Sequence, residues 1–109
     1  MLVAEEDGEL LGLTICGESP DEDAGDHVGE VRSLFVAVGG WRRGVGSELL
    51  SAALHDLRVR GHSEATVWSF ADNERANAFY EAVGFTRDGA EKTEEDWADL
   101  VQVRYRRSL

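Results

Sequence analysis

Three patterns follow one another between residues 30 and 70: a strand, a helix and a second strand. Apolar side chains occupy both faces of the first strand, residues 30–38, which is typical of a central strand covered by helices. From Gly44 the apolar spacing changes to three and four residues, which predicts an amphipathic helix that ends near Gly61. Residues 65–70 return to a strand pattern. This succession predicts a βαβ unit with two parallel strands.

Simple alternation assigns the side chains of residues 30–38 to two faces of the sheet. Helices are expected to cover both faces. One face is expected to carry Val31, Phe35 and Ala37, and the other Leu34, Val36 and Val38.

Two shorter strand patterns precede this unit. Residues 2–6 and 10–16 flank Asp7-Gly8, which is a two-residue hairpin signal. Residues 17–29 are rich in acidic residues and glycine, which predicts an exposed loop. An antiparallel pair is therefore expected beside the βαβ unit.

The C-terminal part of the chain predicts two further strands. A short strand is expected from Phe85, with a turn at Asp88-Gly89, before an acidic loop at residues 91–99. Residues 100–106 alternate and predict a last antiparallel strand. The fold class is thus α/β (α+β), a mixed and mostly antiparallel sheet with a central parallel pair. In the last strand Val101, Val103 and Tyr105 are expected to point inward, and Gln102, Arg104 and Arg106 outward.

Length and charge limit the classes of function. The chain has 109 residues, which fits a single domain over residues 1–109. Its net charge of −11 argues against nucleic acid or an anionic membrane as a partner. The charge suits a cationic amine, although solubility alone also accounts for it. One cysteine, Cys16, no long apolar run and no signal-peptide pattern favour a cytoplasmic location.

The first stretch that could carry chemistry is residues 41–47, Trp-Arg-Arg-Gly-Val-Gly-Ser. Gly44 and Gly46 let the backbone approach a bulky anion, and the free amides at a helix start favour phosphate. Arg42 or Arg43 can add positive charge. A tight strand–helix turn without a ligand explains these residues equally well.

The second such stretch is residues 73–85. An amphipathic helix with an aromatic inner face, capped by Asp72 or Asn73 and ended by Gly84, explains most of it. Tyr80 differs, because a buried hydroxyl needs a partner.

These two stretches and the strand at residues 30–38, in this order and spacing, resemble the GNAT superfamily of acyl-CoA N-acyltransferases. The resemblance runs from about Leu10 to Tyr105. It implies that a bulge splays the two parallel strands and opens a slot for acyl-CoA. It also implies a cosubstrate, acetyl-CoA, whose binding residues would be Leu34, Phe35, Val36, Val38, Arg42, Arg43, Gly44, Val45, Gly46, Ser47, Asn73 and Phe79.

The resemblance further implies the chemical roles. The amide near Leu34 would polarise the thioester carbonyl. Asn73 would contact the pantetheine arm, although capping of the helix is an equally good use. Tyr80 would protonate the departing thiolate, and Glu30 would act as the general base, directly or through water. No metal is expected: His27, His55 and His62 show no ligand spacing and are expected at the surface.

Three departures from the family pattern matter, and one of them is that Gly39-Gly40 replaces the common proline-containing approach to the turn. Trp41 stands where the family usually has Gln or Arg. The chain also starts directly in a strand, whereas the family normally has a first strand and one or two helices before it. We therefore expect either an N-acetyltransferase acting on a small-molecule or peptide amine, or a non-catalytic CoA-binding module whose partner completes the acceptor site. The edge strand at residues 2–6 makes a homodimer an expectation.

Overall fold

The computed structural model describes residues 1–109 as one six-stranded sheet with two α-helices. The strand order in the sheet is β1-β2-β3-β4-β6-β5. Only β3 and β4 are parallel, and every other neighbouring pair is antiparallel, which confirms the predicted mixed sheet. In chain order the elements are β1 (Leu2–Glu6), β2 (Glu9–Glu18), β3 (Val28–Val36), α1 (Val45–Val59), β4 (Glu64–Phe70), α2 (Glu74–Ala82), β5 (Thr86–Lys92) and β6 (Gln102–Ser108).

The predicted hairpin and βαβ unit are both present. Asp7 and Gly8 have φ of 52° and 81°, the left-handed values that a tight two-residue hairpin requires. After α1 the chain turns at Gly61, with φ of 96°, as expected for a glycine that ends a helix. β4 then pairs with the first half of β3 in parallel register.

A bulge at Arg32 changes the facing of β3. Ile15 of β2 pairs with Ser33, but the next residue, Cys16, pairs with Val31, so Arg32 has no partner across the pair. The extra residue shifts the alternation by one. Val31 therefore lies on the same face as Leu34 and Val36, not with Phe35, and simple alternation was wrong at this point.

Both helices pack on one face of the sheet. The main core joins side chains of α1 and α2 to alternate residues of β3, β4 and β6. Phe35 lies on the other face and is 52% exposed, so the prediction that helices cover both faces of β3 was wrong. The fully buried side chains of this core include Val31, Leu50, Ala53, Leu57, Ala65, Phe85 and Tyr105.

The C-terminal strands differ in detail from the predicted ones. Asp88-Gly89 is not a turn between strands, because β5 runs through it and bulges outward between Arg87 and Glu91. Val103 and Tyr105 point into the core as expected, whereas Val101 precedes β6 and is 43% exposed.

Four other residues lie differently from their predicted positions. Val38 lies in a short 3-10 turn, Val38–Gly40, beyond the end of β3. Gln102 and Arg104, expected to point into solvent, are buried. His62 is also buried, with Nδ1 unpaired, because it packs where α1 turns into β4. Neither helix is long and apolar enough to cross a membrane.

Candidate active site

The parallel strands β3 and β4 separate halfway along their length. They pair only from Val28 with Glu64 to Val31 with Val67. Beyond that point β3 stays paired with β2, and β4 stays paired with β6 as far as Phe70. The bulge at Arg32 marks the start of the separation. A slot therefore opens between the C-terminal halves of the two central strands, as predicted.

A cleft of about 570 Å³ continues from this slot. One wall comes from the end of β3 and the turn into α1, and the opposite wall from the start and inner face of α2. The lining residues are Leu34, Val36, Gly40, Trp41, Arg42, Gly44, Val45, Gly46, Ser47, Asn73, Arg75, Ala76, Phe79 and Tyr80.

The turn into α1 presents backbone amides to the cleft. Arg42 and Gly44 have φ of 60° and 75°, so two left-handed residues bend the chain within three positions. No side chain caps α1, whose first intrahelical bond runs from Glu48 N to the Gly44 carbonyl. The amides of Val45, Gly46 and Ser47 are thus free for an anion. Arginine at a positive φ is uncommon, and such strain is typical of ligand-binding loops.

The two arginines of this turn point in different directions. Arg42 lines the cleft. Arg43 instead makes an ion pair with Glu6 of β1 and donates to the Gly39 carbonyl at 3.3 Å. The structure therefore does not bring the Arg43 side chain into the cleft, and Arg42 is the basic side chain beside the amides.

Trp41 lines the cleft at the position where a polar or basic residue was expected. Its indole Nε1 donates to the Val36 carbonyl at 3.0 Å, which ties the turn to the end of β3. The tryptophan replaces a charge with an exposed aromatic ring.

The start of α2 forms the second wall. The Asn73 side chain accepts from the Ala76 amide at 3.1 Å, so it caps the helix while lining the cleft. Arg75 also lines the cleft and is exposed, but sequence reasoning missed it. The signal was present: Arg75 precedes the predicted site residue Phe79 by four positions, which places both on one helix face.

Tyr80 reaches the cleft from the core. It is 8% exposed and packs between Phe79, Phe85 and Tyr105. Its hydroxyl has no hydrogen-bond partner within the protein, and burial raises its pKa. The phenol is therefore protonated at neutral pH and free to donate a proton or a hydrogen bond into the cleft.

Glu30 lies on the opposite face of the sheet from Tyr80. It sits in the paired half of β3, opposite Thr66, and is 6% exposed. Burial raises the pKa of its carboxyl, and the nearby carboxylate of Asp21 raises it further. The Arg32 guanidinium, 3.5 Å away, acts in the other direction. Glu30 does not line the cleft, because it lies on the other side of the sheet in the segment of β3 that pairs with β4.

A buried arginine organises that second face. Arg104 of β6 is 5% exposed and binds Asp23 through two parallel bonds of 2.7 Å. It also contacts Asp21 at 3.2 Å and Asp88 at 2.6 Å. The Arg104 guanidinium lowers the pKa of Asp23 to about 2. These contacts hold the acidic β2–β3 loop against the sheet beside Glu30.

Phe35 and Val38, two of the expected cosubstrate residues, do not line the cleft. The Phe35 side chain points to the other face because of the bulge, and Val38 is 73% exposed in the 3-10 turn. Apart from these two, Arg43 and Glu30, the predicted residues converge on one cleft although they come from separate parts of the chain.

The sequence matches the profile of the Acetyltransferase (GNAT) family over residues 1–85. The chain belongs to this family. It is 34% identical over 103 residues to a probable N-acetyltransferase of Mycobacterium tuberculosis, a match that covers 94% of the chain and 54% of that protein. It is also 34% identical over 91 residues to a mycothiol acetyltransferase of Cellulomonas flavigena, covering 79% and 26%. This GNAT chain thus spans about half the length of the first relative and about a quarter of the second.

Solved structures share the fold. The GNAT chain superposes on a ribosomal-protein-alanine N-acetyltransferase of Brucella melitensis with a TM-score of 0.81 at 24% identity, covering 98% of the chain and 67% of that protein. A PaiA N-acetyltransferase of Thermoplasma acidophilum, solved in complex with coenzyme A, gives a TM-score of 0.74 at 17% identity, covering 98% and 58%. At these identities the likeness establishes the architecture.

Proposed function

We propose that the chain binds acetyl-CoA in the cleft and transfers the acetyl group to a primary amine by direct attack. The observation that carries this proposal is the slot between β3 and β4, which leads to the uncapped start of α1. An extended thioester substrate with a pyrophosphate fits this combination of open strand edges and free amides.

The residues present fit such a cosubstrate. The amides of Val45, Gly46 and Ser47 would hold the pyrophosphate, with Arg42 adding charge. Gly46 faces Val36 and Phe79 across the cleft: an added Cβ would lie 3.5 Å from Val36 Cγ2 and 3.8 Å from Phe79 Cζ. A side chain at this position would therefore make ordinary van der Waals contacts with both walls. The unpaired edge of β3 around Leu34 and Val36 would bind the pantetheine arm like an added strand.

The two faces of the sheet would supply the two proton transfers. Bound acetyl-CoA supplies an activated thioester. An amine attacks only when neutral, and a lysine amine has a pKa of about 10.4 and an α-amine about 8. Glu30 would accept the amine's proton, through water because it lies outside the cleft. Tyr80 would give its proton to the departing thiolate from the helix-covered face. The Leu34 amide would stabilise the developing negative charge on the carbonyl oxygen.

A cationic acceptor is the substrate class that the second face favours. Asp21, Asp23 and Glu30 lie together there, in a chain with a net charge of −11. The names of the similar proteins mention mycothiol in one case and a ribosomal-protein alanine in another. We propose no finer choice of amine.

The proposal is tested by CoA-dependent thermal stabilisation and by thiol release from acetyl-CoA with a panel of amines. At ~100 times its dissociation constant, a ligand of the folded state stabilises it by about 2.7 kcal/mol. Tyr80→Phe should lower kcat about 100-fold without loss of stability, because the hydroxyl makes no bond in the free protein.

Tyr105→Phe is the matched control. Its hydroxyl donates to Glu81 at 3.0 Å and accepts from Arg87, and it does not line the cleft. This variant should lose stability but keep its kcat. Full activity of Tyr80→Phe with every acceptor would remove the acid role. Stabilisation by CoA without thiol release from any amine would instead favour a binding module that another chain completes.

A further inference from the structure

Lys92 places an amine on the open face of the sheet. It is the only lysine in the sequence. It ends β5, at the edge of the sheet, yet its Nζ lies 4.3 Å from the ring centroid of Trp68 on β4, so the side chain crosses β6. Its Nζ also contacts Glu94 at 3.2 Å, and the side chain is 35% exposed. The ammonium group is thus held in a defined place and remains accessible.

That place is beside the slot. Trp68 is the first β4 residue beyond the segment that pairs with β3. Its indole Nε1 donates to the Asp21 carboxylate at 3.2 Å, so the ring itself is fixed. Glu30 lies opposite Thr66, two residues before Trp68 and on the same face. A cation over this ring is therefore next to the point where the thioester would emerge and next to the base.

Electrostatics supports the proximity of Lys92 to the base. Burial and Asp21 raise the pKa of Glu30, and the positive charges of Lys92 and Arg32 act in the opposite direction. The two groups therefore interact across the open face, although they belong to strands at different positions in the sheet.

We propose that Lys92 is itself an acetyl acceptor, modified by its own chain from acetyl-CoA bound in the slot. This inference rests on the proposed function. It assigns to Lys92 the acceptor role that an external amine has in the proposed function.

The step is a simple acyl transfer. The Lys92 nitrogen forms a bond to the thioester carbonyl carbon while the carbon–sulfur bond breaks. Two protons leave the nitrogen. One passes through Glu30 to solvent, and the other replaces, through water, the proton that Tyr80 gives to the thiolate. The product amide is neutral, so acetylation removes both the cation–π contact with Trp68 and the ion pair with Glu94.

Arg87 provides the matched control position. It lies on the same strand, β5, and its guanidinium carbon is 5.6 Å from the ring centroid of Tyr105. Tyr105, however, faces the helices, so this cation lies on the side of the sheet away from Glu30. The double variant Lys92→Arg with Arg87→Lys moves the single lysine to the other face while keeping a cation over each ring.

The experiment incubates the full chain with acetyl-CoA and follows intact mass and peptide maps. We expect one acetyl group on Lys92, formed at a rate constant independent of protein concentration, and slowed about tenfold or more by Glu30→Gln. The double variant, shown to be folded by its thermal unfolding, should acquire no lysine acetylation above the rate of the heat-unfolded chain.

Three results would overturn the inference. Lys92 could remain unmodified while an external amine releases CoA, which leaves the proposed function standing. Acetylation could proceed equally in the Glu30→Gln variant and in the unfolded chain, which indicates uncatalysed chemistry. A rate constant that rises with protein concentration would show transfer between chains. If neither Lys92 nor any external amine is acetylated, the proposed function fails as well.

Discussion

The two faces of the sheet are built on different principles. The face under α1 and α2 is apolar and closed, with Leu50, Leu57 and Tyr105 fully buried. The opposite face is divided between a buried charge network around Arg104 and apolar side chains left open, such as Ile15 and Phe35. One face therefore holds the fold together by packing, and the other by paired charges.

The slot between β3 and β4 is an opening between these two faces. Tyr80 approaches it from the apolar face, where burial keeps a phenol protonated. Glu30 lies on the polar face, where burial and Asp21 raise its pKa. In the proposed function, this difference between the faces would place an acid and a base on opposite sides of one sheet.

Removal of the Arg104 charge is expected to have the largest effect on stability. Arg104→Leu leaves three carboxylates without their shared cation, and two of these, Asp21 and Asp88, have side chains only 15% and 16% exposed. Removal of one partner of a buried ion pair lowers the free energy of unfolding by about 3–5 kcal/mol. Urea unfolding should show a loss of about 4 kcal/mol.

Arg106→Leu is the control on the same strand and face. Arg106 is 27% exposed in its side chain and contacts Asp88 at 3.1 Å and also Glu64. More exposed pairs contribute about 1 kcal/mol or less. Equal losses of stability in the two variants would show that this face depends on Arg104 no more than on Arg106.

Truncation of the apolar core is the next largest effect. Leu50→Ala removes a fully buried side chain of α1, and such changes cost about 2–5 kcal/mol. Phe35→Ala on the open face removes a side chain that is 52% exposed and should cost about 1 kcal/mol or less. Chemical denaturation measures the free energy of unfolding of both variants. If Phe35→Ala lost as much stability as Leu50→Ala, the second face would be covered in solution.

The closed face could be predicted from sequence because its signals are local. The spacing of apolar residues in α1, the Asp7-Gly8 turn and the glycine after each helix depend on near neighbours. The cleft residues were predicted by resemblance, since three separate motifs had to be combined. Gly40, Trp41, Arg75 and Ala76 were not among the predicted site residues, although the helical spacing from Phe79 could have indicated Arg75.

The open face could not be predicted in the same way. Simple alternation predicted that the Arg104 side chain points into solvent. Its partner Asp23 lies 81 residues earlier, in a loop that the sequence pattern predicted to be exposed. The bulge at Arg32 similarly has no local signal, because it depends on the register between β2 and β3. Both features are tertiary pairings, so the local sequence pattern does not indicate them.

The smallest and most diagnostic effect is expected from Glu30→Gln. Because the folded state raises the pKa of Glu30, the folded chain binds this proton more tightly than the unfolded chain. The charged carboxylate therefore lowers stability at neutral pH, and this penalty disappears as the pH falls through the folded pKa. Glu30→Gln should be more stable than the parent at pH 7, with a difference that shrinks in acid, while thiol release with an amine falls. Glu22→Gln, at an exposed loop position, is the control and should change neither quantity. Thermal unfolding from acidic to neutral pH, with activity measured alongside, tests this relation. If Glu30→Gln were less stable than the parent at neutral pH, the carboxylate would stabilise the open face. The idea that Glu30 is retained as a base at a cost in stability would then be wrong.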